Sequence, residues 1–338
     1  MHLTAGARSV KLLLELSMEC ESMARSEALS AADALGGPGK VIDSDPGVLV
    51  VETSASPSSL ASRLGLCHHV SEWLGTCSPS EIQSFAASVD VPGPIRVRAT
   101  KVGPAVEGVH LDRVSRSVGG VIGAGRGVDI HDPVSDVRIV FSNRAHVGRV
   151  LGSIDRTSFE KRKNRYLPFK YPASLHPKYA RAMVNLTRVP VGGTVLDPFC
   201  GTGAILAEAF LVGARAIGTD LSERMALGAL ENLSHIGASA DVRVCDVGKV
   251  AEVVGAVDGI ATDPPYGRST STNGEKIPDL YRRAFSAFRS VVRRGSRVVT
   301  AVPDMSLLEG MDGFDLEETH GLWVHRSLTR NFCVLRRT

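Results

Sequence analysis

Four consecutive residues, Asp263-Pro264-Pro265-Tyr266, carry the sharpest chemistry in the chain. Two prolines end a strand and fix the backbone rigidly. The Asp263 carboxylate and a proline carbonyl then present two acceptors for the hydrogens of one planar NH2 group. Tyr266 offers a flat face on which an unstacked base can lie. An exocyclic amine on a nucleobase is a poor nucleophile, because its lone pair is delocalised into the ring. Acceptors aimed at its hydrogens favour a pyramidal nitrogen and take up positive charge as it develops. Asp263 is also placed to receive the proton, directly or through water. The plain alternative is a proline-rich turn, but the end of a buried strand is where an open α/β sheet binds its ligands.

A second group lies upstream, in Val195-Leu196-Asp197-Pro198-Phe199-Cys200-Gly201-Thr202-Gly203-Ala204. A buried strand runs into glycines and then into a helix start. Gly201 and Gly203 let the backbone approach a ligand closely. Asp220, at the tip of the next strand, sits where a carboxylate accepts hydrogen bonds from a ribose diol. A dinucleotide fingerprint would need Gly or Ala at 206, where the chain has Leu206, and Asp197 would repel a pyrophosphate. The acid suits a ligand with a cationic amine. S-adenosylmethionine has that ammonium, a sulfonium, a ribose and an adenine. Asp246, at a third strand tip, suits the adenine amine, although such an Asp is also a common helix cap.

The elements that must hold these residues alternate. Strands are expected over 194–197, 214–219, 241–245, 259–262 and 297–302, and helices over 203–212, 222–236 and 278–293. Two more strands follow near 314–325 and 332–336. This order predicts an α/β, Rossmann-like sheet, mostly parallel, with one antiparallel strand contributed by a final hairpin. Ahead of it, strands over 10–16 and 47–52 and helices over 18–35 and 56–66 give a small α+β unit. A further unit from about 70 has strands over 95–99, 137–141 and 145–151 and a helix over 112–122. A basic stretch over 152–170 reads as a linker.

Charge separates along the chain. Net charge is −6 over residues 1–90, +11 over 91–190 and −2 over 191–338, although the total is only +3. The basic middle third fits a polyanion. No stretch approaches the roughly 18 apolar residues of a membrane helix. The first 16 residues carry Arg8, Lys11 and Glu15, unlike a signal peptide. Six dispersed cysteines lack C-x-x-C spacing, and the histidines lack metal-ligand pairing, so reduced thiols, no metal and a cytoplasmic location are expected.

In order and wording, the motifs DPFCGTG, GTD, CD and DPPY resemble Rossmann-fold, S-adenosylmethionine-dependent methyltransferases that act on exocyclic amines. The segment YPASLHPKYARAMVNL (171–186) and the tail HRSLTR (325–330) are similar to those of the archaeal tRNA (guanine-N2) methyltransferases acting at position 10. Gly119-Gly120 and Val128-Asp129-Ile130 followed by Asp132-Pro133 are similar to a THUMP domain, and the start resembles the ferredoxin-like domain that precedes it. The resemblance implies a ferredoxin-like domain over 1–69, a THUMP RNA-binding domain over 70–151, a linker over 152–170 and the methyltransferase over 171–338. It further implies that Asp197, Cys200, Gly201, Thr202 and Gly203 line the methionine end of the cofactor. Asp220 with Leu221 would hold the ribose, Asp246 with Val247 the adenine, and Asp263, Pro264, Pro265 and Tyr266 the guanine. The THUMP unit would grip the tRNA acceptor end at a fixed distance from the site. Phosphate contacts are expected from Arg96, Arg98, Lys101, Arg113, Arg116, Lys161, Arg162, Lys163, Arg165, Arg326 and Arg330.

The sequence therefore reads as an enzyme moving a methyl group from S-adenosylmethionine to guanosine N2 in tRNA. Its partners would be tRNA, with no membrane, no metal and no protein partner required. Two rivals stay open: the same chemistry on another RNA guanine or on adenine N6, and a non-catalytic RNA-binding protein that keeps the cofactor fold.

Overall fold

Short apolar runs become the central strands, and the amphipathic segments between them become the covering helices. A computed structural model describes residues 9–102, 108–172, 174–266, 274–325 and 328–338. These form two units, Met1–Ser62 with Cys67–Ile154, and Arg63–Leu66 with Asp155–Thr338.

The first unit contains β1 (Val10–Leu16), α1 (Glu21–Gly36), β2 (Lys40–Asp45), β3 (Val48–Thr53), α2 (Pro57–Arg63, whose last residue belongs to the second unit), β4 (Cys67–Cys77), α3 (Ile82–Ala86), β5 (Ile95–Lys101), α4 (Leu111–Ile122), β6 (Ser135–Phe141) and β7 (Ala145–Ser153). Its sheet runs β2-β3-β1-β4-β7-β6-β5. Within it β5 and β6 pair in parallel and the other neighbours antiparallel. Alternation along β6 decides its two faces. Val137, Ile139 and Phe141 pack with Val118 and Ile122 of α4, while Arg138 pairs with the buried Glu15 on the other face.

The boundary expected at 69/70 falls inside β4. That strand pairs with β1 on one side and β7 on the other, so one sheet spans both expected parts. His68, His69 and Glu72 interrupt the apolar pattern of β4 and hid it in the sequence. The polar β2 was hidden in the same way. The helix expected over 112–122 is α4, Leu111–Ile122.

The second unit contains α5 (Arg156–Lys161), α6 (Pro177–Leu186), β8 (Thr194–Asp197), α7 (Ala204–Leu211), β9 (Arg215–Asp220), α8 (Glu223–Ile236), β10 (Asp241–Val244), α9 (Val250–Val253), β11 (Val257–Thr262), α10 (Ile277–Val291), β12 (Val292–Val302), β13 (Phe314–His325) and β14 (Leu328–Arg337). The sheet order is β10-β9-β8-β11-β12-β14-β13. The first five strands are parallel, and β14 is antiparallel to both of its neighbours. That is the reversed strand expected from the tail. One face of α10 presents Leu280, Tyr281, Phe285, Phe288 and Val291 to Leu196, Ile260 and Val298 of the sheet. Each large apolar side chain buried this way contributes about 1.5–3 kcal/mol.

Much of the expected linker is folded into this unit. Phe159 of α5 and Leu167 are buried. Phe169 N–H donates to Asn232 Oδ1 at 3.0 Å. Arg162 Nε donates to Glu208 Oε1 at 2.7 Å, and Arg181 Nη2 lies 2.6 Å from Glu208 Oε2. Glu208 is 1% exposed, so α5, α6 and α7 are tied through one buried acid.

Candidate active site

The chain leaves β8 for β9 and β10 on one side, then crosses back to β11 and β12 on the other. Such a reversal opens a crevice beyond the carboxyl ends of the two central strands. A cleft of about 950 Å³ lies there. Asp197 ends β8 and Asp263 follows β11, so the switch point itself brings the two acids together.

Asp197 is 2% exposed. Its Oδ1 accepts from Thr262 Oγ1 at 2.7 Å and from the Phe199 N–H at 3.2 Å. Burial, aided by the charges of Asp263 and Asp220, pushes its carboxyl up to about 7, against the pull of those two donors. The loop that follows turns through Gly201 at φ 51°. The Gly201 N–H donates to Asp220 Oδ2 at 3.0 Å, and the Ser222 N–H donates to Asp220 Oδ1 at 2.9 Å. Burial lifts Asp220 above the usual carboxylate range. Thr202 Oγ1 shares a hydrogen bond with Ser174 Oγ at 2.9 Å. Asn232 Nδ2 donates to the carbonyls of Thr202 and Phe169, both at 3.0 Å. Burial holds the Cys200 thiol well above its usual range, which leaves it protonated and unsuited to nucleophilic attack.

At the other end of the cleft, Tyr266 Oη donates to Asp263 Oδ1. Arg330 Nε donates to Tyr266 Oη at 3.0 Å, and Arg330 Nη2 stands 3.6 Å from Asp263 Oδ2. Burial raises Asp263 despite the opposing pull of the Arg330 charge and the Tyr266 hydroxyl. Burial, then the Asp263 charge, keeps Tyr266 a neutral phenol. Asp246 Oδ1 accepts from the Gly248 N–H at 2.9 Å and from Arg283 Nη1, and Arg283 also binds Glu275.

Asp197, Cys200, Gly201, Thr202, Asp220, Leu221, Asp246, Val247, Asp263, Pro264, Pro265 and Tyr266 all line this cleft. Gly203 does not. It starts α7 at φ 84°, and a Cβ there would lie 3.3 Å from Ala229 Cβ, so its smallness serves the packing of α7 on α8.

The basic residues divide. Arg98, Lys101, Arg113, Arg116, Lys161 and Arg165 are exposed. Arg96 pairs with Asp136 at 2.5 Å and donates to the Ile130 carbonyl, and Arg162 is committed to Glu208; both are internal pairs rather than open phosphate sites. Lys163 pairs with Glu160 at 2.6 Å, and Arg165 lies 3.9 Å from the same acid. Arg330 points into the cleft. Arg326 lies outside the described residues, as do 268–273 of the polar loop that follows the DPPY motif. Thr262, Ser174, Asn232, Arg283 and Glu275 escaped sequence reasoning. Only Thr262, a polar residue at the end of an otherwise apolar strand, left a signal there.

The sheet order, the reversed β14 and the acid-lined crevice define the Rossmann-like methyltransferase class. Residues 164–331 match the family described as UPF0020: RMKL-like, methyltransferase domain. TrmN from Thermus thermophilus superposes with a TM-score of 0.56 at 22% identity, covering 97% of this chain and 100% of that one, a likeness of fold. The curated tRNA (guanine(10)-N2)-dimethyltransferase of Methanothermobacter thermautotrophicus is 33% identical over 97% of this chain and 100% of its own length. The enzyme of the same name from Pyrococcus abyssi is 31% identical over 93% of this chain and 95% of its own. The chain belongs to the tRNA (guanine(10)-N2)-dimethyltransferase family.

Among the described residues no helix is long and apolar enough to cross a membrane, and no cluster of His, Cys, Asp and Glu could hold a metal ion.

Proposed function

We propose that this protein transfers methyl groups from S-adenosylmethionine to N2 of the guanosine at position 10 of tRNA, and that two successive transfers give the dimethylated base. The observation that carries the reading is the convergence of Asp197, Asp220 and Asp263 on one cleft, each with its carboxyl raised by burial. Crowded, desolvated acids are relieved by a cationic ligand. The donor set fits this cofactor. Asp197 would take its ammonium. Asp220 spends one acceptor site of each oxygen on backbone N–H groups, and a carboxylate has about four such sites, so both oxygens can still accept from a ribose diol. Both bonds to Asp246 use Oδ1, which leaves Oδ2 for an adenine amine. Leu221 and Val247 would flank the nucleoside. When bound, the cofactor supplies a methyl group on positively charged sulfur.

The chain's own groups do the rest. Asp263 and the Pro264 carbonyl accept from the guanine amine, hold its lone pair out of the ring plane and stabilise the charge that develops on nitrogen. The nitrogen sheds one proton as its new bond to carbon forms, and Asp263, raised by burial, takes that proton. Tyr266 keeps the base flat against the cleft wall. We assign the first unit's β5, α4, β6 and β7 to a THUMP-type RNA grip and its β1, α1, β2 and β3 to a ferredoxin-like part. Exposed Arg98, Lys101, Arg113 and Arg116 in the former would hold phosphates. A soluble cytoplasmic location fits this substrate.

The test is incubation with unmodified tRNA transcript and labelled S-adenosylmethionine, followed by nucleoside mass spectrometry. N2-methylated and N2-dimethylated guanosine at position 10 are expected. Label on adenosine alone would overturn the reading.

A further inference from the structure

The Arg330 side chain crosses from β14 to the DPPY segment and reaches both of its polar groups, which are themselves hydrogen-bonded to each other. Its guanidinium is 5.7 Å from the centre of the Tyr266 ring, and the side chain is 16% exposed. Burial works against the charge of this arginine, but the Asp263 carboxylate and the Tyr266 hydroxyl outweigh it and keep the guanidinium charged. That charge competes with the reaction, since a cation beside Asp263 weakens the carboxylate as a proton acceptor. A phosphate contact would need neither the depth nor the partner.

The geometry points to a different role: Arg330 selects guanine by donating to its O6. The proposal rests on the guanine-N2 reading above and adds the residue that makes the pocket specific for that base. The guanine edge reads amine, ring N1–H, carbonyl O6, so two donors are followed by an acceptor. Asp263 and the Pro264 carbonyl serve the amine in the reading above, so what remains to tell guanine from adenine at the far end of this edge is O6, which needs a donor. Arg330 Nη2, 3.6 Å from Asp263 Oδ2, is the neighbouring donor, beyond hydrogen-bond distance and so not locked to the carboxylate. Its Nε–H is spent on Tyr266 Oη, which anchors the guanidinium at the hydroxyl of the residue assigned to stack the base. Adenine offers a different edge: its amine is followed by a bare ring nitrogen, with no carbonyl for Arg330. Specificity of this kind is strong because the wrong base leaves a buried donor unpaired.

The experiment uses the full chain and full-length tRNA ligated to carry guanosine, 2-aminopurine riboside or 2,6-diaminopurine riboside at the target position. All three bases keep the 2-amine. Neither analogue carries the N1–H; 2-aminopurine also lacks O6, and 2,6-diaminopurine replaces O6 with a donor, so the change in preference on replacing Arg330 is what reports the O6 contact. Wild type should favour guanosine over both in kcat/KM. In Arg330→Met that preference should shrink about 10- to 100-fold, the scale of one hydrogen bond to a charged group. Arg330→Gln, whose amide can accept as well as donate, should gain on 2,6-diaminopurine relative to guanosine. Binding of S-adenosylhomocysteine should stay within about twofold in both variants, which checks the fold.

Equal losses on all three substrates would overturn the assignment and leave Arg330 a clamp on Tyr266 or a phosphate contact. No preference for guanosine in the wild type would overturn it without any variant. Failure of the wild type to methylate guanosine N2 at all would instead overturn the proposed function, so the two failures are distinct.

Discussion

Thr262 Oγ1 donates to Asp197 Oδ1 across 2.7 Å, and this bond joins the last residue of β11 to the last residue of β8. It connects the acid assigned to the cofactor with the strand that delivers Asp263. It also supports the charged form of Asp197 in a site where burial opposes that charge. Thr262→Val keeps the shape of the side chain and removes the donor. A hydrogen bond to a charged group is worth about 1.5–3 kcal/mol, so the variant should bind S-adenosylmethionine at least roughly tenfold more weakly at neutral pH. Thr262→Ser should restore binding. Titration calorimetry on the three proteins checks this.

The raised Asp197 carboxyl gives a pH signature. With a folded value of about 7 and an ordinary one near 4, the folded protein holds a proton that the unfolded chain releases. The stability this group contributes is therefore complete below pH 4 and is lost as pH rises towards and through 7. Ligand-free wild type should lose Tm over that window relative to Asp197→Asn, which cannot titrate there. Affinity for the cationic cofactor should move the other way and tighten as pH rises through 7. Melting curves and binding isotherms between pH 5 and 8 report both trends. A flat difference between wild type and variant would contradict the assignment.

Glu208 holds two arginines in a nearly dry setting. Removing one member of a buried ionic group leaves the others uncompensated and typically costs about 3–5 kcal/mol. Glu208→Gln should lower stability by about that much in urea unfolding. Arg162→Ala should likewise shift the midpoint. If Arg162 were instead an RNA contact, that variant would change tRNA affinity and leave the midpoint untouched.

Exposed Arg98, Arg113 and Arg116 are the cleaner test of phosphate binding, because their replacement leaves no buried partner behind. The triple alanine variant should bind tRNA more weakly and with a shallower salt dependence, by up to about 0.9 in log–log slope for each lost duplex contact. Its kcat at saturating tRNA should match wild type. Filter binding across a salt series, with saturating kinetics alongside, measures both.

The second unit was largely legible because a parallel sheet buried on both faces writes its central strands as short apolar runs, and those of β8 and β11 lead straight into the DPFCGTG and DPPY motifs. The strand 194–197 and its terminal Asp197 could be read directly, and the reversed β14 followed from the tail. The first unit was less legible. β4 carries His68, His69 and Glu72, and β2 is largely polar, so neither shows clean alternation. The acids of the cleft were visible because their chemistry is carried by type and spacing. Asn232, Arg283 and the cleft role of Arg330 were not, since each reaches its partner only after folding, Asn232 from 30 residues beyond Thr202 and Arg330 from 64 beyond Tyr266. Arg162 shows the converse. Within a run of basic residues it looked like the rest, and only its buried partner Glu208 sets it apart.

The central claim is that Asp263 acts on the amine itself. The direct measurement is the single-turnover rate of methyl transfer by Asp263→Ala, with enzyme and S-adenosylmethionine in excess over tRNA, alongside the Kd for each. The account predicts a fall of at least about 100-fold in the chemical step, the scale of losing a positioned acceptor and base, with tRNA binding nearly unchanged. A variant that transferred methyl at the wild-type rate would contradict it.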